Sequence, residues 1–336
     1  MGKLEDFFRN KDILVTGGCG SIGSKLVEQL LRYDAKRVRV LDHNESGLFH
    51  LQERLKKHEK LRTLLGDIRN EERLRWAMRD VDIVFHAAAL KHVPLCEYNP
   101  FEAVGTNVFG TQNLINVARD ENVDKVIAIS TDKAVNPINT MGATKLLSEK
   151  LVLNGSLGDV KTVFSCVRFG NVLNTDGSVI PIFEEQIKKG EPVTVTSKEM
   201  VRFFMTIKAA IALILKAAQK ASGREIFILK MDAMRIVDLA EVMIEEFAQK
   251  YGHDDVEIEI IGIRPGEKIY ELLMSEEEAQ YAEDLGDMFI LKPGLITPHY
   301  ISINKKVSSQ PIRVEEYNGR NAKLLTKKEI KTLFPG

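Results

Sequence analysis

A surplus of charge of either sign is missing from this sequence. Its 336 residues carry 47 lysines and arginines against 48 aspartates and glutamates, a formal net charge of −1. That balance gives no electrostatic reason to expect nucleic acid or an anionic membrane surface as a partner. Cysteine is scarce as well. Cys19, Cys96 and Cys166 are an odd, scattered set. They form neither a disulfide framework nor a metal-ligand spacing, so buried thiols in a reducing compartment and no bound metal are expected. No apolar run approaches membrane-spanning length, and the opening Met-Gly-Lys-Leu-Glu-Asp-Phe-Phe lacks a signal-peptide core. A cytoplasmic protein without a membrane segment is the expectation.

What the sequence does have is alternation. Short β-branched runs at 11–16, 37–42, 61–66, 81–85, 125–130 and 160–168 read as strands. Between them, 22–33, 48–60, 71–78, 101–122 and 140–154 read as helices. Strands alternating with helices build parallel β-α-β units with right-handed crossovers. The expected fold is therefore α/β, a Rossmann-type doubly wound parallel sheet. From about Phe169 the rhythm breaks, and Pro181, Pro192, Pro265, Pro293, Pro298 and Pro311 punctuate loops. The expected organisation is a domain over 1–168 holding cofactor and catalytic residues. A smaller mixed region over 169–336 mainly binds substrate, with a strand or helix able to return to the first domain.

The first strand runs into Thr16-Gly17-Gly18-Cys19-Gly20-Ser21-Ile22-Gly23 and then a helix. Residues without Cβ let backbone approach a pyrophosphate, and the helix start supplies N–H donors. Gly17, Gly20, Ser21, Ile22 and Gly23 are the expected contacts of a dinucleotide; a plain tight turn is the other reading. Asp42 ends the second strand about 20 residues later, where an acid holds the ribose hydroxyls of NAD and repels the extra phosphate of NADP. Arg37, Arg39 and His43 nearby blur that preference, and a turn acid capping the next helix is the plain alternative. Asp67, in Gly66-Asp67-Ile68-Arg69, can meet the adenine amino group or serve as an N-cap. His86-Ala87-Ala88-Ala89 offers small residues, Ala87 and Ala88, against which a cofactor can lie, with His86 read as a packed structural histidine.

The fifth strand ends in Ser130-Thr131-Asp132-Lys133, and Met141-Gly142-Ala143-Thr144-Lys145 follows after a short loop. Met141 and Lys145 are one helical turn apart and face the same way. Asp132 and Lys133 place an acid and an amine at a strand end, where open α/β sheets bind ligands. A solvated surface ion pair is the alternative. For Met141 the choice is between core packing and a wall of the substrate pocket.

Together these residues resemble the extended short-chain dehydrogenase/reductase superfamily, in its polysaccharide-biosynthesis branch that contains the UDP-N-acetylglucosamine 4,6-dehydratases. The resemblance runs from the glycine turn through 86–94, Glu-Tyr-Asn-Pro (97–100), Thr-Asn-Val-x-Gly-Thr (106–111) and Ser-Thr-Asp-Lys-Ala-Val-Asn-Pro (130–137). It continues through Arg-Phe-Gly-Asn-Val-Leu (168–173), Gly-Ser-Val-Ile-Pro (177–181), Arg-Phe-Phe-Met (202–205) and Arg-Pro-Gly-Glu-Lys (264–268). It implies NAD as a tightly held cofactor, with Ile68, Asn107 and Lys145 among its contacts. It implies a UDP-sugar substrate, with Lys91, Asn171, Arg202, Arg264 and Glu267 as candidate contacts, and a homo-oligomer. It also implies that Asp132 is the acid and Lys133 the base of a water elimination, beside Thr131 and Lys145. Met141 departs from the pattern, because the branch with tyrosine there uses it for hydride-transfer chemistry. For the elimination, Lys133 is expected to have its pKa brought down by desolvation and by Lys145, and Asp132 to have its pKa raised. A UDP-sugar 4-epimerase and a silent nucleotide-sugar-binding protein are the rival functions.

Overall fold

Buried β-branched residues set the frame. The computed structural model describes residues 2–158, 160–175, 177–292 and 316–334; Pro293, Pro298 and Pro311 lie outside that range. Six strands follow the expected positions: β1 Asp12–Thr16, β2 Arg37–Asp42, β3 Leu61–Leu65, β4 Ile83–His86, β5 Lys125–Thr131 and β6 Val163–Phe169. They pair in parallel in the order β3-β2-β1-β4-β5-β6. Chain order reverses between β1 and β4, which makes a crevice beyond their carboxyl ends. β1 and β4 are buried along their whole length, as expected of strands covered on both faces.

After β6 come β7 Asn171–Val172, β8 Val193–Val195, β9 Val201–Met205, β10 Ile226–Leu229, β11 Ala233–Arg235, β12 Ile258–Ile260, β13 Leu272–Met274, β14 Ala282–Asp284, β15 Met288–Leu291 and β16 Tyr317–Asn318. β10 joins β6 in parallel, and β15 and β14 then add antiparallel strands at that edge, giving nine strands in all. The remaining strands make small sheets, β11-β9-β7, β12-β8 and β13-β16. A second apolar cluster, with Phe183, Ile187, Leu239 and Met243, packs the helices Val179–Lys189 and Ile236–Phe247 together.

Two helices differ from the sequence expectation. The second is Glu45–Arg54 rather than 48–60. Asn44 caps its start by accepting from the Gly47 N–H, and Lys56 and Lys57 both take positive φ beyond its end. The stretch 101–122 is Pro100–Val104 and Gly110–Asp120 joined by a π-turn over Gly105–Phe109. The turn contains Asn107, whose side chain brackets the Leu90 N–H and C=O and reaches Thr144 Oγ1. Insertions of this kind in a helix commonly serve a site.

Two buried polar groups tie this frame together. Arg168 on β6 is fully buried and makes paired hydrogen bonds to Glu149 at 3.0 and 2.7 Å and to Glu278 at 2.8 and 3.0 Å. It fastens the helix Thr140–Gly155 and the turn Glu276–Ala279 to the sheet. His86 is buried between Thr16 Oγ1 at 2.8 Å and Thr111 Oγ1 at 3.1 Å. Burial, with a smaller contribution from Lys145, depresses its pKa to about 3.

Arg168→Leu leaves two carboxylates facing an apolar wall. A loss of about 3–5 kcal/mol in urea unfolding is expected, as for other broken buried ion pairs. For His86 the sign follows from linkage. The unfolded chain takes up a proton on this ring below about pH 6.5, and the folded chain does so only near pH 3. The contribution of His86 is thus complete above pH 6.5 and lost as pH falls toward 3, with a slope of up to about 1.4 kcal/mol per pH unit. His86→Gln should flatten the dependence of the urea midpoint on pH between 6 and 4 relative to the parent; parallel curves would contradict this assignment.

Candidate functional site

A cleft of about 880 Å³ opens at the carboxyl ends of β1 to β6. At one end lies the glycine turn. Gly17 has φ +66°, and a Cβ on it would come within 2.6 Å of Ala88 Cα. Only glycine allows the turn after β1 to meet the segment after β4 backbone to backbone. The helix Ser21–Arg32 starts from Gly20 with no side-chain cap and brings the positive end of its dipole to the cleft.

Gly17, Gly20, Ser21, Ile22, Gly23, Asp42, Asp67, Ile68, Ala87 and Ala88 all line this end. Asp42 Oδ2 accepts from the Cys19 N–H at 2.9 Å and Oδ1 from the Asn44 N–H at 3.0 Å, so the carboxylate is fixed toward the cleft edge. Its charge and burial push the Cys19 thiol up to about 12, burial being the larger cause. Asp67 is clasped by Arg69 through Nε at 2.9 Å and Nη2 at 2.7 Å. Arg37 and Arg39 do not line the cleft: Arg37 reaches Asp12, and Arg39 donates to the carbonyls of Ala77 and Arg79. Asn107 is also off the cleft wall; it braces the segment at Leu90 from behind.

The other end is built on β5 and the helix Thr140–Gly155. Ser130, Thr131, Lys133, Met141, Lys145 and Asn171 line it. Asn139 caps the helix through the Gly142 N–H and donates to the Gly266 carbonyl at 2.8 Å. A Cβ at Gly142 would lie 2.4 Å from the Lys133 carbonyl oxygen, so this glycine lets the helix start press against the turn Asp132–Ala134. Met141 is buried, facing both the cleft and a small apolar cluster with Cys96 and Ala103. Core packing and pocket wall are here one position. Lys145 Nζ donates to the Ile129 carbonyl at 2.7 Å, and burial lowers its pKa.

The structure separates the two members of the acid–amine pair. Lys133 faces the cleft, whereas the Asp132 side chain has no exposure and lies behind it. Lys133 Nζ is 2.9 Å from Asp132 Oδ1, which also accepts from Thr131 Oγ1 at 2.8 Å. Asp132 Oδ2 is buried without a partner. The expected lowering of the Lys133 pKa is corrected: it is raised. Burial opposes the ammonium, but the carboxylates of Asp132 and Glu271 outweigh it.

The remaining candidates part company. Lys91 and Asn171 line the cleft, and Asn171 Oδ1 lies 3.4 Å from Lys133 Nζ. Arg202, Arg264 and Glu267 do not line it. Arg202 is buried and donates to the carbonyls of Val201 at 2.9 Å and Ile269 at 3.0 Å; Arg264 is exposed and pairs with Glu267 at 3.8 Å. Among residues given no role from sequence, Ser130 and Ser178 line the cleft, and each has a buried hydroxyl without a partner. The His92 ring from one side lies against Gly177 from the other. Ser178 sits inside Gly-Ser-Val-Ile-Pro, so its signal was present; Ser130 was hidden by the reactive residues beside it.

A family model described as polysaccharide biosynthesis protein matches residues 13–293. A Methanocaldococcus jannaschii protein named as an uncharacterized membrane protein is 56% identical over 98% of this chain and 97% of its own. Among the described residues, no helix is long and apolar enough to cross a membrane. The Staphylococcus aureus capsular polysaccharide biosynthesis protein CapD is 45% identical over 80% of this chain, which spans about half, 46%, of that relative. A Rickettsia bellii UDP-glucose 4-epimerase is 39% identical over 97% of this chain and 96% of its own. A Campylobacter jejuni UDP-N-acetylglucosamine 4,6-dehydratase (inverting) is 38% identical over 86% and 84%. The X-ray structure of Pen from Bacillus thuringiensis superposes with a TM-score of 0.90 at 44% identity, covering 97% of both chains. By sequence and by fold, this chain belongs to the polysaccharide biosynthesis protein family, on an extended short-chain dehydrogenase/reductase framework.

Proposed function

We propose that this protein is an NAD-dependent UDP-N-acetylglucosamine 4,6-dehydratase that makes a UDP-4-keto-6-deoxy sugar for polysaccharide synthesis. The observation that carries the proposal is Lys133, a cleft-facing amine held 2.9 Å from a buried carboxylate at the end of β5. Hydride transfer alone does not need that pair; elimination of water does.

The cleft fits a dinucleotide on its own features. The uncapped helix start, the Gly17–Ala88 backbone approach and the fixed Asp42 carboxylate suit pyrophosphate and ribose. Asp42, with Arg37 and Arg39 turned away, favours NAD over NADP. NAD supplies removal of hydride from the sugar C4 and its return at C6.

The chain's own residues do the rest. A ketone at C4 makes the C5 proton acidic, so a modest base suffices. Lys133 is the proton-transfer group that faces the cleft, and Asp132 acts through it. When the ammonium proton passes to Asp132 Oδ1, the free amine can take the C5 proton and deliver it to the departing 6-hydroxyl. Water leaves, the proton released from the 4-hydroxyl when C4 is oxidised is balanced by the one C5 takes up as the hydride arrives at C6, and Asp132 returns its stored proton to Lys133, so the count closes. Lys145, anchored on the Ile129 carbonyl, would hold the nicotinamide ribose, and Asn171, 3.4 Å from Lys133 Nζ, would meet the sugar.

The epimerase reading has one observation in its favour, the Rickettsia bellii relative matched along nearly its whole length. Substrate carrying deuterium at C4 separates the two. Label at C6 with loss of water is expected, and label returned to C4 without loss of mass would replace the dehydratase by an epimerase. Lys133→Ala should lose about 10²–10⁴ in kcat, with UDP-sugar affinity by calorimetry unchanged within about threefold; full turnover in that variant would remove Lys133 from the mechanism.

A further inference from the structure

Behind the cleft lies a second buried carboxylate to which the elimination chemistry gives no role. Glu271 has 4% exposure and immediately precedes β13, the strand packed on the turn Asp132–Ala134. Its Oε2 is buried without a partner, and its Oε1 is 4.0 Å from Arg202 Nε. The segment is pinned on both sides. Arg202 donates to the Ile269 carbonyl, and Lys268 Nζ reaches the Val135 carbonyl at 2.7 Å, just beyond the reactive turn. An unsatisfied buried carboxylate oxygen is costly, and native structures retain few without a reason. Two of them, Asp132 Oδ2 and Glu271 Oε2, occur in this one neighbourhood.

We propose that Glu271 is a positioning residue that holds the Lys133–Asp132 pair in its ionised form from behind the cleft, without touching substrate. The charged groups facing it are Lys133 and Asp132 from the turn, Arg202 from β9 and Lys268 from its own segment. Among these, Lys133 influences Glu271 more than Asp132 does. A negative Glu271 therefore favours the ammonium–carboxylate form over the neutral amine–acid form. Burial raises the pKa of Glu271 itself, so the restraint is released on the acid side of its titration. In the dehydratase reading, on which the catalytic consequence rests, Glu271 sets how readily Lys133 gives its proton to Asp132 and becomes a base.

The test observes the pair directly in the full-length protein and needs no sugar nucleotide. With ¹⁵N-labelled lysine, the Lys133 Nζ resonance is assigned by its loss in Lys133→Ala and followed against pH. The Glu271 carboxylate raises the Lys133 pKa, so Glu271→Gln should lower the Lys133 midpoint by roughly one pH unit, while Glu271→Asp stays near the parent. In the parent itself, ¹³C-labelled glutamate should show Glu271 titrating with a step of the same midpoint in the Lys133 shift, a reading that requires no variant to fold. An unmoved Lys133 midpoint in folded Glu271→Gln, or no shared step in the parent, would overturn the proposal. In turnover, Glu271→Gln should move the pH profile of kcat and leave KM within about twofold. A parent inactive toward UDP-N-acetylglucosamine would refute the dehydratase reading and leave the NMR result standing.

Discussion

A carboxylate with no solvent exposure has to be neutralised where it stands, and Asp132 organises the end of β5 on that account. Its Oδ1 accepts from both Lys133 and Thr131. Removing a buried charge from water costs several kcal/mol even after relaxation, and one well-placed cation with further hydrogen bonds is what offsets it. The Lys133 ammonium is therefore drawn back onto the strand end while its cleft side stays accessible. The same contact that makes the carboxylate tolerable makes the amine a poor base at rest. Structure and reactivity oppose each other at one hydrogen bond, and the surrounding carboxylate and cations decide the balance.

That balance depends on rigid placement. The helix Thr140–Gly155 carries Met141 and Lys145, and its start touches the reactive turn through Gly142, where a methyl group would collide with the Lys133 carbonyl. Farther along, Glu149 is locked to Arg168 on β6, and Arg168 in turn holds Glu278. This helix is thus fixed by backbone contact at one end and by a buried ion network near its middle. Nothing in that network faces the cleft, yet it determines where Lys145 and Lys133 stand relative to each other.

The parallel strands and the glycine turn were legible in the sequence because their signals are local. β-branched runs, the glycine turn and the acid closing β2 are read from consecutive residues, and their partners are set by the regular α/β rhythm. The reactive end was legible as a composition, Thr131-Asp132-Lys133 with Met141 and Lys145 one turn apart, but not as an electrostatic state. The pKa of Lys133 is raised by Asp132 beside it and also by Glu271, a residue 138 positions away that a packed strand brings in. Arg202 and Arg264 looked suited to a diphosphate by residue type. Burial against main-chain carbonyls claims the first, and the second stands in solvent beside Glu267. Asn107 was read as a cofactor contact, but the π-turn rotates it onto Leu90 and Thr144. In each case the deciding information lay in long-range packing.

Met141 shows how such packing changes the chemistry available. A thioether neither titrates nor donates, so a site with methionine at this place has to move its protons elsewhere. Lys145 is drawn toward the Ile129 carbonyl, and burial favours its neutral form. Lys133 is drawn toward Asp132 and kept charged. The two amines of the site thus differ in protonation tendency although they are the same residue type on one cleft wall. A tyrosine would have supplied a titrating hydroxyl at this place. Without it, the difference between the lysines rests on their acceptors, a neutral carbonyl for one and a buried carboxylate for the other.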